Sequence, residues 1–411
     1  MEPEDLERRT DRRRDTRRRR RPFRALVVGV AVLALLGVVS LAGFAFLLQR
    51  TVENNVVHED LKADDNSQIT LSPDRAGGNR SGGEDAEEDG AAGEDGAAGE
   101  DGDTAELDVE AAEDDQGVAP IVGEDDQEIQ VQDGSTVPAS HPARPDSAGD
   151  ALNFLIIGTD SRDPGVERGR SDVIILAHVN DDRTRVDLVH FPRDLFVPIA
   201  GTGGSSKINA AYAYGGAPLL VQTLQPLIQV PIDHVVITNF ESFTSMTDAI
   251  GGVEVQVTEA GGGFSEGTHW MDGEQGLDFV RERYSLSQGD ISRGERQMQF
   301  VKGVMNKALS RETLTNPARL ARFVDAATTN LTVDDDLRVS DMRDLAFAMR
   351  GVRGGDIHFW TAPWNGLEMH PVAGSIVLMV PEQMQVLARH LRTDTMESYV
   401  DTVSPQVGFG G

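Results

Sequence analysis

Two neighbouring stretches decide the fold: Asn153–Arg162, NFLIIGTDSR, and Ser171–Asn180, SDVIILAHVN. Each holds a short run rich in Ile, Val and Leu, bounded by Gly or charged residues, which marks a strand. Working outward, RVDLVHF (185–191), HVVITNF (234–240) and GVEVQV (252–257) repeat that pattern. Helical periodicity lies between and after them. APLLVQTLQPLIQ (217–229) and ESFTSMTDAIGG (241–252) read as helices, the second stopped by Gly251 and Gly252. GERQMQFVKGVMNKALS (294–310) places Met298, Val301 and Met305 on one stripe. Three further helices are expected in PARLARFVDAATTNL (317–331), SDMRDLAFAMRG (340–351) and PEQMQVLARHLRTD (381–394), with a strand in DIHFWTA (356–362). The alternation predicts one α/β domain over 151–411, about 260 residues and large enough for a proper core.

The residues before that domain differ in kind. Of the 411 residues, 1–24 carry 11 Arg against 6 acids, and 25–48 hold no charge at all. At 1.5 Å per residue the uncharged stretch extends roughly 36 Å, enough to cross a hydrocarbon core of roughly 30 Å with some tilt. It is longer than the apolar core of a cleaved signal peptide, so an uncleaved transmembrane helix is expected. The Arg cluster places the N-terminus in the cytoplasm and everything after Leu48 outside it. Residues 51–150 carry 29 acids against 4 bases, contain no Phe, Trp or Tyr, and repeat AAGEDG from Ala91 and from Ala97. Such a composition predicts a disordered acidic linker. Much of the net charge of −30 therefore resides outside the domain.

Several chemistries are excluded at once. With no cysteine there is no disulfide, no thiolate nucleophile and no Cys-ligated metal. Walker A and HExxH motifs are absent, and the acidic domain offers no basic nucleic-acid footprint.

The polar residues at strand ends carry the functional signal. Asp160 lies in the turn after NFLII and Asp172 precedes VIILAHV, so adjoining strand ends would make a hard oxygen site suited to Mg²⁺. The alternative is that each aspartate only closes an Asx-turn. FPRD (191–194) exposes Arg193 beside Asp194, and KINAAYAYGG (207–216) supplies Lys207 at a helix start, where an anion is favoured. RERYSLSQGDISRGERQ (281–297) packs Arg281, Arg283, Asp290, Arg293, Arg296 and Gln297 together. If it is helical, Asp290, Arg293 and Gln297 share a face, while Arg281 and Arg283 come from a helix end or loop. A salt-bridged surface helix is the competing reading of this cluster. Converging arginines in an acidic domain match phosphate oxygens, and with two carboxylates for a metal they supply the parts of phosphoryl transfer from a pyrophosphate.

The order NFLIIGTDSR, SDVIILAHVN, FPRD, KINAAYAYGG, RERYS, GDISRGERQ resembles the LytR-CpsA-Psr family of membrane-anchored cell-wall enzymes. The resemblance covers Leu152 to about Leu309, and Phe191 stands where that family usually has Ile. It implies a three-layer domain, a mixed central sheet flanked by helices. It also implies transfer of a glycopolymer from a polyprenyl-pyrophosphate carrier to a peptidoglycan hydroxyl, forming a phosphodiester. Motif by motif, Asp160 and Asp172 are then Mg²⁺-site residues. Arg193, Arg281, Arg283, Arg293 and Gln297 bind pyrophosphate, Asp290 orients them, and Arg162 and Lys207 are further phosphate ligands. A pyrophosphatase, with water replacing the wall hydroxyl, and a non-catalytic lipid-phosphate-binding regulator are the two competing functions.

Overall fold

The computed structural model describes residues 43–64, 67–72, 118–159 and 171–402, with the side chains of Phe240, Glu241 and Asp290 left out of account. In chain order the elements are α1 (43–55), β1 (Val57–Glu59), β2 (Gln68–Thr70), β3 (Thr136–Pro138), β4 (Leu152–Thr159), β5 (Ser171–Val179), β6 (Val186–His190), β7 (Leu195–Pro198) and β8 (Ser205–Lys207). There follow α2 (Ile208–Ile228), β9 (His234–Asn239), α3 (Phe240–Ala249), β10 (Val253–Val257), β11 (Gly267–Met271), α4 (Gly273–Arg281) and α5 (Asp290–Ala308). The chain closes with α6 (Pro317–Thr328), β12 (Thr332–Asp334), α7 (Val339–Ala348), β13 (Ile357–Thr361), β14 (Trp364–His370), β15 (Gly374–Met379) and α8 (Pro381–Arg392).

The central sheet runs β1-β12-β9-β4-β5-β6-β13. β4 is parallel to β9 and antiparallel to β5, and β6 is parallel to β13, so the sheet is mixed. Both faces are covered, because β4 alternates its burial: Leu155 and Ile157 turn to one side, Phe154 and Ile156 to the other. The first side packs against Leu219, Leu220 and Leu224 of α2 and Leu387 and Leu391 of α8. The second packs against Met298, Val301 and Met305 of α5, the stripe expected from the sequence. This is the predicted three-layer arrangement. A smaller sheet, β14-β15-β7-β8, stands beside it. α2 is kinked at Gly215 and Gly216, where Gly216 takes φ +64, a conformation that a side chain would resist.

The expected boundary at 151 is corrected by the structure. Most described residues between 51 and 150 belong to the folded body: Val56, Leu61, Ile69, Leu71, Ile121, Val122 and Val137 are all buried. β1 extends the central sheet beside β12, and Arg144 Nη2 donates to both oxygens of Asp233. Composition averaged over 100 residues hid this, because 17 of the 29 acids fall in 73–117 and dilute the short apolar runs on either side. Residues 73–117 lie outside the described residues. Ile121→Ala should therefore cost about 3 kcal/mol of stability in denaturant unfolding, as for a core residue; no change would return this segment to a linker.

Of the predicted span, 25–42 lies outside the described residues and 43–48 begins α1. No helix among the described residues is long and apolar enough to cross a membrane. α1 is held on the domain by Val52 and Val56, packed near Val333, Leu337 and Met342. Its Asn55 amide donates to Asp325 Oδ1 at 2.9 Å and to Thr328 Oγ1 at 3.1 Å.

Candidate active site

The strand ends that the sequence singled out meet at one end of the central sheet. β4 and β5 pair regularly from Leu152↔Val179 to Gly158↔Val173, and then the register shifts so that Thr159 faces Ser171. Asp172 is the extra residue of that β-bulge, which lifts it out of the regular ladder and re-aims it. Arg193 comes from the turn after β6, closed by Leu195 N donating to Pro192 O at 2.9 Å. Phe191, just before it, is wholly buried and anchors the turn in the core.

Arg193 Nη1 donates to Asp172 Oδ1 at 2.8 Å, and Arg293 Nη2 stands 3.8 Å from the same oxygen. Arg193 Nε lies 3.8 Å from Asp194 Oδ2, and Lys207 Nζ is 3.3 Å from Asp194 Oδ1. The side chains of Asp172, Asp194, Arg193 and Arg293 are only 12–14% exposed. Three cations from three separate stretches thus alternate with two carboxylates. Pairing at this degree of burial is needed, since an isolated charge would pay a large desolvation penalty.

α5 supplies both the fourth wall and the packing beneath it. Its N-cap is Gly289, which offers no side-chain cap, so the helix opens on the lip Ser287–Gly289. A cleft of about 480 Å³ lies between that lip, Ile291, Arg193, Asp194, Lys207 and residues of β14 and β15. A second, of about 410 Å³, shares Arg193, Asp194 and Lys207 but runs toward Val118–Pro120, Asn209 and the β14–β15 turn. Under Arg293, Gly294 presses on the His190 ring, where an added Cβ would sit 2.5 Å from Cε1. Burial and the Arg293 charge push His190 down to about 4, so it is a neutral floor to the site.

The structure therefore brings together Asp172, Arg193, Lys207 and Arg293. Arg281 ends α4, and Arg283 follows in the loop, as the spacing required. Arg283 donates to Tyr284 Oη at 2.9 Å and lies 4.7 Å over its ring, on the segment that leads to the cleft lip. α5 covers 290–308, so Arg293 and Gln297 do share a helical face, with position 290 one turn before them, and Gln297 is buried. Asp160 and Arg162 lie outside the described residues. Arg296 points elsewhere: it donates to the carbonyls of Glu259 and Gly261 at 3.0 Å and lies 4.6 Å over Phe279. Asp194 and Asn209 were missed as cleft residues. Asp194 was legible only as the local partner of Arg193, and Asn209 only as a neighbour of Lys207.

Among the described residues no group of three His, Asp or Glu is placed to hold a metal. Mg²⁺ commonly takes one or two carboxylates and completes its shell with substrate phosphates and water. Asp172 is a hard oxygen donor at the rim of the cation cluster and fits that requirement as one ligand.

The LytR_cpsA_psr family model matches residues 120–392. A curated relative, the polyisoprenyl-teichoic acid–peptidoglycan teichoic acid transferase TagU of Enterococcus faecalis, is 36% identical over 208 residues, 49% of this chain and 67% of that protein. The Bacillus subtilis protein of the same name is 35% identical over 191 residues, 45% of this chain and 62% of its own length. The matches thus span about two thirds of these relatives. Among solved structures, B. subtilis TagV has a TM-score of 0.51 at 23% identity, covering 62% of this chain and 98% of its own. Protein gbs0355 from Streptococcus agalactiae has 0.52 at 22%, covering 62% and 91%; both likenesses show the fold. With the motifs in order, the mixed three-layer fold in place and the family model matching well over half of the residues, the chain belongs to the LytR_cpsA_psr family.

Proposed function

We propose that the protein is a phosphotransferase that moves a glycopolymer from a polyprenyl-pyrophosphate carrier to a peptidoglycan hydroxyl, leaving a phosphodiester link. The observation that carries this reading is the meeting of Arg193 and Lys207 at a cleft of about 480 Å³ at the N-terminal end of α5, with Arg293 joined to Arg193 through Asp172. Guanidinium forks and helix amides both favour phosphate oxygens. The relatives' transferase names agree with it.

In this mechanism the cations hold the diphosphate and neutralise the charge that spreads over its oxygens as the bond to the leaving group loosens. The incoming hydroxyl attacks the sugar-side phosphorus in line, and polyprenyl phosphate leaves. Arg281 and Arg283 extend the grip along the α4–α5 segment, with Gln297 and Arg162 as further ligands and Asp290 as an orienting partner. Asp160 and Asp172 are the proposed Mg²⁺ ligands; the bound ion would add positive charge beside the same diphosphate. The domain would work outside the cytoplasm on a single-pass anchor.

The test incubates the full chain in detergent with Mg²⁺, a short polyprenyl-pyrophosphate glycan and peptidoglycan oligomers, followed by mass spectrometry of the products. A phosphodiester-linked conjugate is expected, lost with a chelator and restored by Mg²⁺. Free polymer phosphate without conjugate would make the protein a pyrophosphatase. Donor binding with no turnover would make it a regulator.

A further inference from the structure

The two clefts share one ridge, Arg193, Asp194 and Lys207, and the rim residues Met369 and Gly374, and differ in the rest of their lining. The larger leads from Arg193 and Lys207 to the N-terminal lip of α5, the helix that carries Arg293, and so suits the anionic donor. Away from the ridge, the smaller is lined by Val118–Pro120, Asn209 and the turn Met369–Gly374, with no acid, Arg or Lys among them. Its volume lies within the range that holds a small-molecule-sized ligand. Asn209 is 8% exposed, and its Oδ1 has no hydrogen-bond partner among the described residues. A buried acceptor left unpaired is costly unless something donates to it. Met369, 74% exposed, adds an apolar surface at the rim of both clefts, of the kind that covers the face of a sugar ring.

From this geometry we infer that the 410 Å³ cleft receives the acceptor as a neutral carbohydrate, and that Asp194, at the junction, accepts the proton of its attacking hydroxyl. The assignment rests on the transfer reading above. Asp194 lines both clefts, whereas Asp172 lines neither and is engaged by two arginines. Lys207 and Arg193 hold the Asp194 carboxylate from two sides. In the step, the acceptor O–H bond breaks and its proton passes to Asp194. The oxygen bonds to the sugar-side phosphorus, and the bridging P–O bond breaks with its electron pair on polyprenyl phosphate. The proton then passes from Asp194 to solvent. Because the transition state of phosphoryl transfer is loose, the hydroxyl keeps most of its proton until late, so a weakly basic carboxylate suffices.

The experiment uses the full chain in detergent with the same donor, and compares a peptidoglycan oligomer with 2,2,2-trifluoroethanol, an acidic alcohol that needs little help from a base. Asp194→Asn should lower transfer to the oligomer about a hundredfold, with donor affinity equal or tighter and a much smaller loss with trifluoroethanol. Asn209→Ala should raise KM for the oligomer about tenfold with little change in kcat, as expected from losing about one hydrogen bond. Equal losses with both acceptors, or a rise in donor KM instead of acceptor KM, would overturn the assignment. If Asp194→Asn fails to fold, the Asn209→Ala split decides alone. Transfer by the parent protein with neither variant impaired defeats this inference and spares the transfer reading; no transfer by the parent defeats both.

Discussion

Arg193→Ala is expected to lower transfer about a thousandfold, the scale of losing a preorganised charge at a site where charge develops. Arg193 is the hub of the cluster, 2.8 Å from Asp172, 3.8 Å from Asp194 and part of the wall of both clefts. Its removal leaves Asp172 facing only the more distant of its two described guanidinium contacts, so stability should fall too, by about 3 kcal/mol. Arg193→Lys keeps the charge and gives up the fork. It should recover thermal stability more fully than rate, because planar two-point recognition of phosphate is what Lys lacks. Initial rates with saturating donor, alongside thermal unfolding, separate the two effects. A rate for Arg193→Ala within threefold of the parent would remove this residue from phosphate binding.

The second large effect concerns stability against pH. Glu295, in the first half of α5, is buried; desolvation, and next the Glu259 charge, push its carboxyl up from the ordinary 4.5 to about 8. Between those two values the folded chain holds a proton that the unfolded chain has released. Stability attributable to this group is therefore complete below about pH 4.5 and falls as pH rises toward 8, by on the order of 4 kcal/mol. Glu295→Gln mimics the protonated form. It should flatten the decline of Tm across that window and make the variant more stable than the parent at pH 8. Parallel Tm curves for the two proteins would show that Glu295 ionises freely in the fold.

Glu259 sits at the centre of the neighbouring contacts. It accepts from the Ser287 amide at the cleft lip, and this hydrogen bond helps hold its own carboxyl below the usual range even against burial. The Glu259 backbone carbonyl also accepts from Arg296. Arg296 thus fixes the loop behind the lip. The turn of Arg296, three residues on from Arg293, is set by the distant carbonyls of Glu259 and Gly261 and was not legible, whereas local helical spacing already put positions 290, 293 and 297 on one face.

Much of the rest was legible for a similar reason. Apolar periodicity is local, so the strands β4, β5, β6, β9 and β10 and the stripe Met298, Val301, Met305 could be found residue by residue. What escaped depends on distant partners. The bulge that re-aims Asp172 exists only in the register between β4 and β5. The β14–β15 turn enters the cleft wall because β15 pairs with β7, some 180 residues earlier in the chain. The apolar runs near Ile69 and Ile121 were too short to stand out from their acidic surroundings, although long-range pairing and burial hold both in place.

The Ser72 amide donates to Tyr214 O at 2.9 Å, and the carbonyls of Ala119 and Pro120 both accept from Ser206 Oγ at 2.9 Å. The described residues on either side of 73–117 are thus bound to one folded body. α1, whose 13 residues rise only about 20 Å, is clamped to the sheet edge, so the domain begins at that helix and any displacement of α1 carries the central sheet with it.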